Sequence, residues 1–196
     1  EVIGVDVSDF KVDLINKGIA TIQEQDIDLI IKEGHASGNI SATLCATDSV
    51  LNSELSMICV GTPSSPHGHL NLNYIFNTAE QIGEALKQKD TFHTVVIRST
   101  VLPGTNQKFG EIVSEFSGKK RGEHFTIVSN PEFLREGTAV KDYFNPSVTV
   151  IGGDHEEALD KVASLYKHLD APIEITDIKV AEIIKYVNNS FHALKI

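Results

Sequence analysis

Three groups of residues are of types and spacings that could do chemistry. Lys185, Asn189 and His192 recur at steps of four and three on an otherwise apolar segment, which places them on one helical face. A cation and an amide donor so aligned can stabilise an oxyanion, and Asn and His can bind hydroxyls or phosphate. The same spacing also fits a polar seam facing water or a partner helix, and spacing does not choose between the two. The second group is "NPEFLREG", where Asn130 suits a helix N-cap and Pro131 the first helical position. Glu132 is then expected in the first turn, with Glu136 one turn further on the same face. Acids favour a helix N-terminus in any protein. At the rim of a crevice, however, a carboxylate pair also suits a general base and a hydroxyl-binding acid. The third group opens the chain: "EVIGVDVSDFK" reads as an apolar strand ending in Asp6, with Lys11 in the helix behind it. A carboxylate there can accept both hydroxyls of a ribose. It also disfavours a 2′-phosphate, so NAD is preferred over NADP. Asp6 as a helix cap and Lys11 as a solvated lysine is the competing reading.

Neither cysteine reads as a nucleophile. Cys59 falls in the apolar run "LSMICVGT" and is expected to be buried there as a small hydrophobe. The histidines are scattered. His67 and His69 share a loop but are only a pair, so no metal site is expected.

These residues need a scaffold, and the chain supplies one by alternation. Apolar β-type runs are expected at Val2–Val7, Ser56–Val60, Thr94–Arg98, Phe125–Ser129, Ser147–Gly152 and Pro172–Ile175, with a weaker one at Ala42–Ala46. Between them lie amphipathic stretches near 9–17, 26–36, 73–89, 104–116, 156–168 and 178–195. In the third, Ile75, Ala79, Ile82, Ala85 and Leu86 form one face. The early runs show little polar alternation, which implies strands buried on both faces and hence a parallel sheet covered by helices. The fold class expected is α/β, a doubly wound Rossmann-like parallel sheet with ligands outside the C-terminal strand ends. Those ends carry Asp6, "GTPS", "STVLPGT" and "NPEFLREG". Each suits an ordinary turn; together, along one edge, they suit a binding crevice. The loop "GTPSSPHGHLN" is a plausible rim. The segment "DIKVAEIIKYVNNSFHALKI", starting at an acid in the N-cap position, Asp177, reads as a helix heading into another domain.

The chain has 196 residues, 41% hydrophobic and 22% charged, an ordinary globular composition. A formal net charge of −10 argues against a nucleic-acid or anionic-membrane surface. No apolar run is long enough for a membrane span. Two cysteines make no disulfide framework, which fits a reducing cytoplasm.

Taken in order, "VIGVDVSDFKVDLIN", "MICVGTPS", "VVIRSTVLPGT", "NPEFLREGTAVKDY", "LDAPI" and "AEIIKYVNNSFHALK" resemble the nucleotide-sugar 6-dehydrogenases over essentially the whole chain. The resemblance implies a four-electron oxidation of a sugar C6 alcohol to a carboxylate with two NAD, through an aldehyde, a thiohemiacetal and a cysteine thioester released by water. It implies that Asp6 and Lys11 bind the adenosine ribose of NAD. Thr62 and Thr100 line the cofactor, with Thr100 near the reacting centre. Glu132 positions or deprotonates the water. Glu136, Lys185, Asn189 and His192 bind the sugar nucleotide, with Lys185 and Asn189 on the oxyanion. GDP-mannose is favoured as substrate, for alginate-type polymers, with UDP-glucose as the alternative. A homodimer or larger assembly through the last helix is also implied.

Three departures from that pattern carry expectations. The opening strand and its Gly-x-Gly-x-x-Gly loop do not stand before Glu1, and the glycine-rich block with the catalytic cysteine does not follow Ile196. The chain therefore reads as cut at both ends, residues 1–176 being a partial NAD-binding domain and 177–196 the start of an interdomain helix. Alone it is expected to bind NAD weakly or not at all and not to turn over; a non-catalytic binding module is the other reading. Third, the family's Pro-Gly after Glu24 is here Gln25-Asp26.

Overall fold

The computed structural model describes residues 1–64 and 70–195. In chain order the elements are β1 (Val2–Val5), α1 (Asp9–Asn16), α2 (Ile27–Ala36), β2 (Ile40–Thr43), α3 (Ala46–Leu51), β3 (Leu55–Ile58), α4 (Asn73–Leu86), β4 (His93–Ile97), α5 (Thr105–Ser117), β5 (Phe125–Ser129), α6 (Ala139–Phe144), β6 (Thr149–Gly152), α7 (Glu156–Ser164), β7 (Ile173–Thr176) and α8 (Ile178–Lys195). They form two compact units, one of Glu1–Ser49 with Leu134–Asn145 and one of Val50–Phe133 with Pro146–Ile196.

In the first unit β1 pairs in parallel with β2, Val2 opposite Ile40 and Val5 opposite Thr43. The strand expected at Ala42–Ala46 thus lies earlier, and its last residue instead opens α3. Asn16, at the end of α1, bonds both backbone groups of Ala42. Only one side of β1 is paired among the described residues, and Val2, Ile3 and Val5 are exposed. The expectation of a doubly buried first strand is therefore not met in this unit. The turn into α2 carries Asp26 at φ 67°, the one non-glycine residue with positive φ among those described. Asp26 keeps the left-handed geometry that glycine adopts freely, at a cost on the order of 1 kcal/mol.

The second unit is a five-stranded sheet in the order β3-β4-β5-β6-β7. β4 (HTVVI), β5 (FTIVS) and β6 (TVIG) are buried at every residue, as their unbroken apolar character predicts. The α4 face read from the sequence is confirmed, with Ile75, Ala79 and Ala85 fully buried against Val95, Ile97, Phe109 and Phe125. Two expectations need correction here. The sheet is not wholly parallel: β3, β4 and β5 run together, and so do β6 and β7, but β5 meets β6 antiparallel at Ser129 and Gly152. And Cys59 is exposed, not buried, because β3 stops at Ile58 and, among the described residues, pairs only with β4.

Gly152 fixes how α8 lies on β6. A Cβ there would fall 2.5 Å from Ala181 Cβ, 3.0 Å from the Asp177 carbonyl oxygen and 3.0 Å from Ile178 Cα. Backbone cannot yield as a flexible side chain can, so Gly152→Ala is expected to destabilise this unit by about 1–3 kcal/mol. Urea unfolding of the variant tests this, and a midpoint equal to wild type would refute it.

Candidate active site

The strand-end loops of the second unit are stitched to one another. Ser99, just past β4, donates through Oγ to the Val60 carbonyl at 2.7 Å. Thr62 Oγ1 donates to the Thr100 carbonyl at 3.0 Å. Two residues expected to line a cofactor are thus in direct contact. Behind them is a buried network that sequence reasoning did not single out. Arg98 Nη1 donates to Asn130 Oδ1 at 2.9 Å and to the Tyr166 hydroxyl at 3.1 Å. Tyr166 donates to the same Asn130 oxygen at 2.5 Å, and Asn130 Nδ2 donates to the Val150 carbonyl at 2.8 Å. Asn130 is 1% exposed. Its amide ties the ends of β4, β5 and β6 together, so it is not available to cap a helix.

That overturns the helical reading of "NPEFLREG". Residues 130–138 form no helix, and α6 begins only at Ala139. Glu132 and Glu136 are not one turn apart, and they fall in different compact units. Other groups order the segment around Glu136. In the first unit the Glu24 carboxylate accepts from the Gly137 and Ala139 N–H groups at 2.6 and 3.2 Å. Arg135 forks onto Asp142 through Nε and Nη2 at 3.0 and 2.6 Å. The Arg135 hydrogen bonds hold the Asp142 carboxyl well below the usual carboxylate range. Glu136 itself is exposed.

Glu132 instead meets the last helix. Lys185 is 7% exposed, and its Nζ donates to Glu132 Oε1 at 2.9 Å while lying 5.6 Å from the centre of the Phe133 ring. An ammonium beside a carboxylate in a half-desolvated setting is a chemical pair rather than a solvated surface contact. Such a pair can hold a water at the carboxylate while the cation meets a developing negative oxygen. α8 starts as expected, with Asp177 accepting from the Lys179 N–H at 2.8 Å. Asn189 and His192 follow Lys185 on α8 and are exposed. Among the described residues neither side chain makes a hydrogen bond, and His192 contacts the Phe191 ring edge-on. His67 and His69 lie outside the described residues, with much of the loop expected to form a rim.

In the first unit Asp6 and Lys11 are brought together. Asp6 Oδ1 accepts from the Ser8 N–H at 2.9 Å and Oδ2 sits 3.4 Å from Lys11 Nζ. The Ser8 bond, aided by Lys11, holds the Asp6 carboxyl below its ordinary value against partial desolvation. The cap of α1 is Ser8, so Asp6 is not the helix cap. Asp6, Lys11, Gly4, Thr21 and Ala42 line a shallow cavity of about 170 Å³. A partly exposed carboxylate at a strand end, facing a cavity with a cation beside it, fits a dinucleotide ribose.

Parallel strands with helical crossovers and polar groups at their C-terminal ends define a Rossmann-like nucleotide-binding fold. The family model for the UDP-glucose/GDP-mannose dehydrogenase family, NAD binding domain, matches residues 1–170, and the chain belongs to that family. It is 49% identical, over its whole length, to the GDP-mannose 6-dehydrogenase of Azotobacter vinelandii, 45% of which it covers. It superposes over its full length on a ternary-complex crystal structure of GDP-mannose dehydrogenase from Pseudomonas aeruginosa, with TM-score 0.98, 47% identity and 45% of that chain covered. A UDP-glucose dehydrogenase from Pyrobaculum islandicum matches with TM-score 0.94 and 36% identity, again over 45% of its length. The chain therefore spans about half the length of these relatives. No helix among the described residues is long and apolar enough to cross a membrane.

Proposed function

We propose that this chain is the NAD-binding portion of a dehydrogenase that oxidises the C6 alcohol of a nucleotide sugar to the carboxylate, with GDP-mannose as the substrate. The observation that carries the reading is the Lys185–Glu132 pair at 2.9 Å, in the same unit as the Thr62–Thr100 contact. A plain alcohol–ketone dehydrogenase needs no group to manage water. An alcohol-to-acid oxidation does, because its second half adds water: alcohol, water and two NAD give carboxylate, two NADH and three protons. In this reading Glu132 holds or deprotonates that water, and Lys185 with Asn189 stabilises the oxyanion. The acyl group is carried on a cysteine outside these residues. Glu136 and His192 contact the sugar nucleotide. Asp6 and Lys11 hold the adenosine ribose, and Thr62 and Thr100 line the cofactor, with Thr100 near the reacting centre. NAD, when bound, accepts the hydride.

The preference for GDP-mannose is supported by the higher identity to GDP-mannose 6-dehydrogenases, 47–49%, than to a UDP-glucose 6-dehydrogenase of Haloferax volcanii at 36%. The intact protein, mixed with NAD and either GDP-mannose or UDP-glucose, tests both parts of the proposal. NADH formation at two per sugar with GDP-mannose, and little with UDP-glucose, is the expected result. One NADH per sugar would remove the water-dependent half of the reading.

A further inference from the structure

We infer that Glu182 is a positioning residue: its buried carboxylate clamps the loop carrying Thr100 to the helix carrying Lys185. The inference rests on the functional reading above for its consequence, but its geometry stands alone. Glu182 is 3% exposed on α8. Its Oε2 accepts from the Gly104 N–H at 2.7 Å. Its Oε1 accepts from the Asn106 N–H at 2.7 Å and from Asn106 Nδ2 at 2.6 Å. A buried carboxylate with no cation among these partners is held entirely by amide donors, and it is costly to bury without them.

The donors explain the choice of residue. Gly104 is the N-cap of α5 and has no side chain to bond the free N–H groups of the first turn. Glu182 supplies that bond from another helix, with its charge at the positive end of α5. The Asn106 amide is oriented by the carboxylate, because only its nitrogen can donate. The Asn106 oxygen is left with no hydrogen-bond partner among the described residues.

Both ends of the clamp lead to the site. Gly104 ends the five-residue loop that begins at Thr100, whose carbonyl accepts from Thr62. Lys185 is three residues beyond Glu182, on the same side of α8, and reaches Glu132 from there. Ala181 against Gly152 fixes the height of α8 on the sheet. Glu182 fixes its rotation about its own axis relative to the Thr100 loop. A helix free to turn would carry the Lys185 ammonium away from Glu132, and small misplacements of a reacting group are costly in rate.

Glu182→Gln keeps the shape but opposes an NH₂ to an amide donor. It is to be compared, in the intact protein, with Phe109→Leu, a change at a fully buried residue of α5 that is not a hydrogen-bond partner of Glu182. Lys185 acetylation by acetic anhydride, read by peptide mass spectrometry under native conditions, needs no activity. It is expected to rise about fivefold in Glu182→Gln and not in Phe109→Leu. The kcat for nucleotide-sugar oxidation is expected to fall about tenfold, again only in Glu182→Gln. Wild-type acetylation of Lys185 in Glu182→Gln, or equal effects in Phe109→Leu, overturns the inference. A wild-type protein that oxidises no nucleotide sugar overturns the functional reading instead, and the acetylation ratio still decides the role of Glu182.

Discussion

Lys185→Met in the intact protein is expected to lower kcat for nucleotide-sugar oxidation by about 10²–10³-fold, the usual cost of removing a donor aimed at developing negative charge. The size follows from where the ammonium sits. It is nearly enclosed, it is held at 2.9 Å by Glu132, and the Phe133 ring covers one side. Methionine keeps the apolar stem and removes only the charge, so packing loss is small. Glu132→Gln is expected to cost a similar factor by removing the group that handles water. If the two act as one unit, the double variant should lose little more than either single one. The KM for NAD should move little in all three, because the proposed ribose contacts are Asp6 and Lys11. A Lys185→Met enzyme within about threefold of wild-type kcat would sink the oxyanion role. Losses that simply multiply in the double variant would mean that Glu132 and Lys185 act independently and not as one unit.

The residues of this pair were visible in the sequence, but their meeting was not. The period of α8 placed Lys185 on one face, and Asp177 marked its start. What no spacing could give was Glu132 as the partner, because that needs the end of β5 folded beside α8. "NPEFLREG" misled for a physical reason: Asn-Pro followed by acids is what a helix start looks like, but Asn-Pro also marks turns. The decision fell to Arg98 and Tyr166, 32 and 36 residues from Asn130 in sequence. Apolar runs located the strands well and their exposure poorly. "VIGV" and "HTVVI" look alike as strings, yet among the described residues one has a neighbour on one side and the other on both. The antiparallel junction of β5 with β6 at Ser129 and Gly152 left no local trace either. Glu182 was passed over because a lone acid in an apolar helix carries no signal until its donors, 76 and 78 residues away, are known.

His93 should make the second unit sensitive to acid. It opens β4 and is fully buried. Its Nε2 lies 2.9 Å from Ser56 Oγ, and its Nδ1 has no hydrogen-bond partner among the described residues. Burial and the Lys89 charge, offset in part by the Ser53 backbone and aided weakly by Lys161, push the imidazole from 6.5 down to about 4. Glu54, whose charge also acts on Lys89, is bonded to Lys161 at 2.7 Å. The folded state therefore keeps His93 neutral, while an unfolded chain protonates it near pH 6.5. Between those values the unfolded state binds more protons, so stability falls as pH falls. The contribution is whole above about pH 6.5 and gone below about pH 4, a loss of about 3 kcal/mol at 1.36 kcal/mol for each unit. Glu54 acts in a lower window: Lys161 holds its carboxyl below 4.5, so its contribution is lost only as pH drops through that lowered value. His93→Gln retains a partner for Ser56 and cannot take the proton. Hydrogen exchange at the Val95, Val96 and Ile97 amides, corrected for intrinsic rates, reports the opening free energy of β4. In wild type that free energy should decline from pH 7 to pH 4.5, and in His93→Gln it should stay nearly level over the same range. Parallel declines in the two proteins would place the acid sensitivity in other groups and remove His93 as its source.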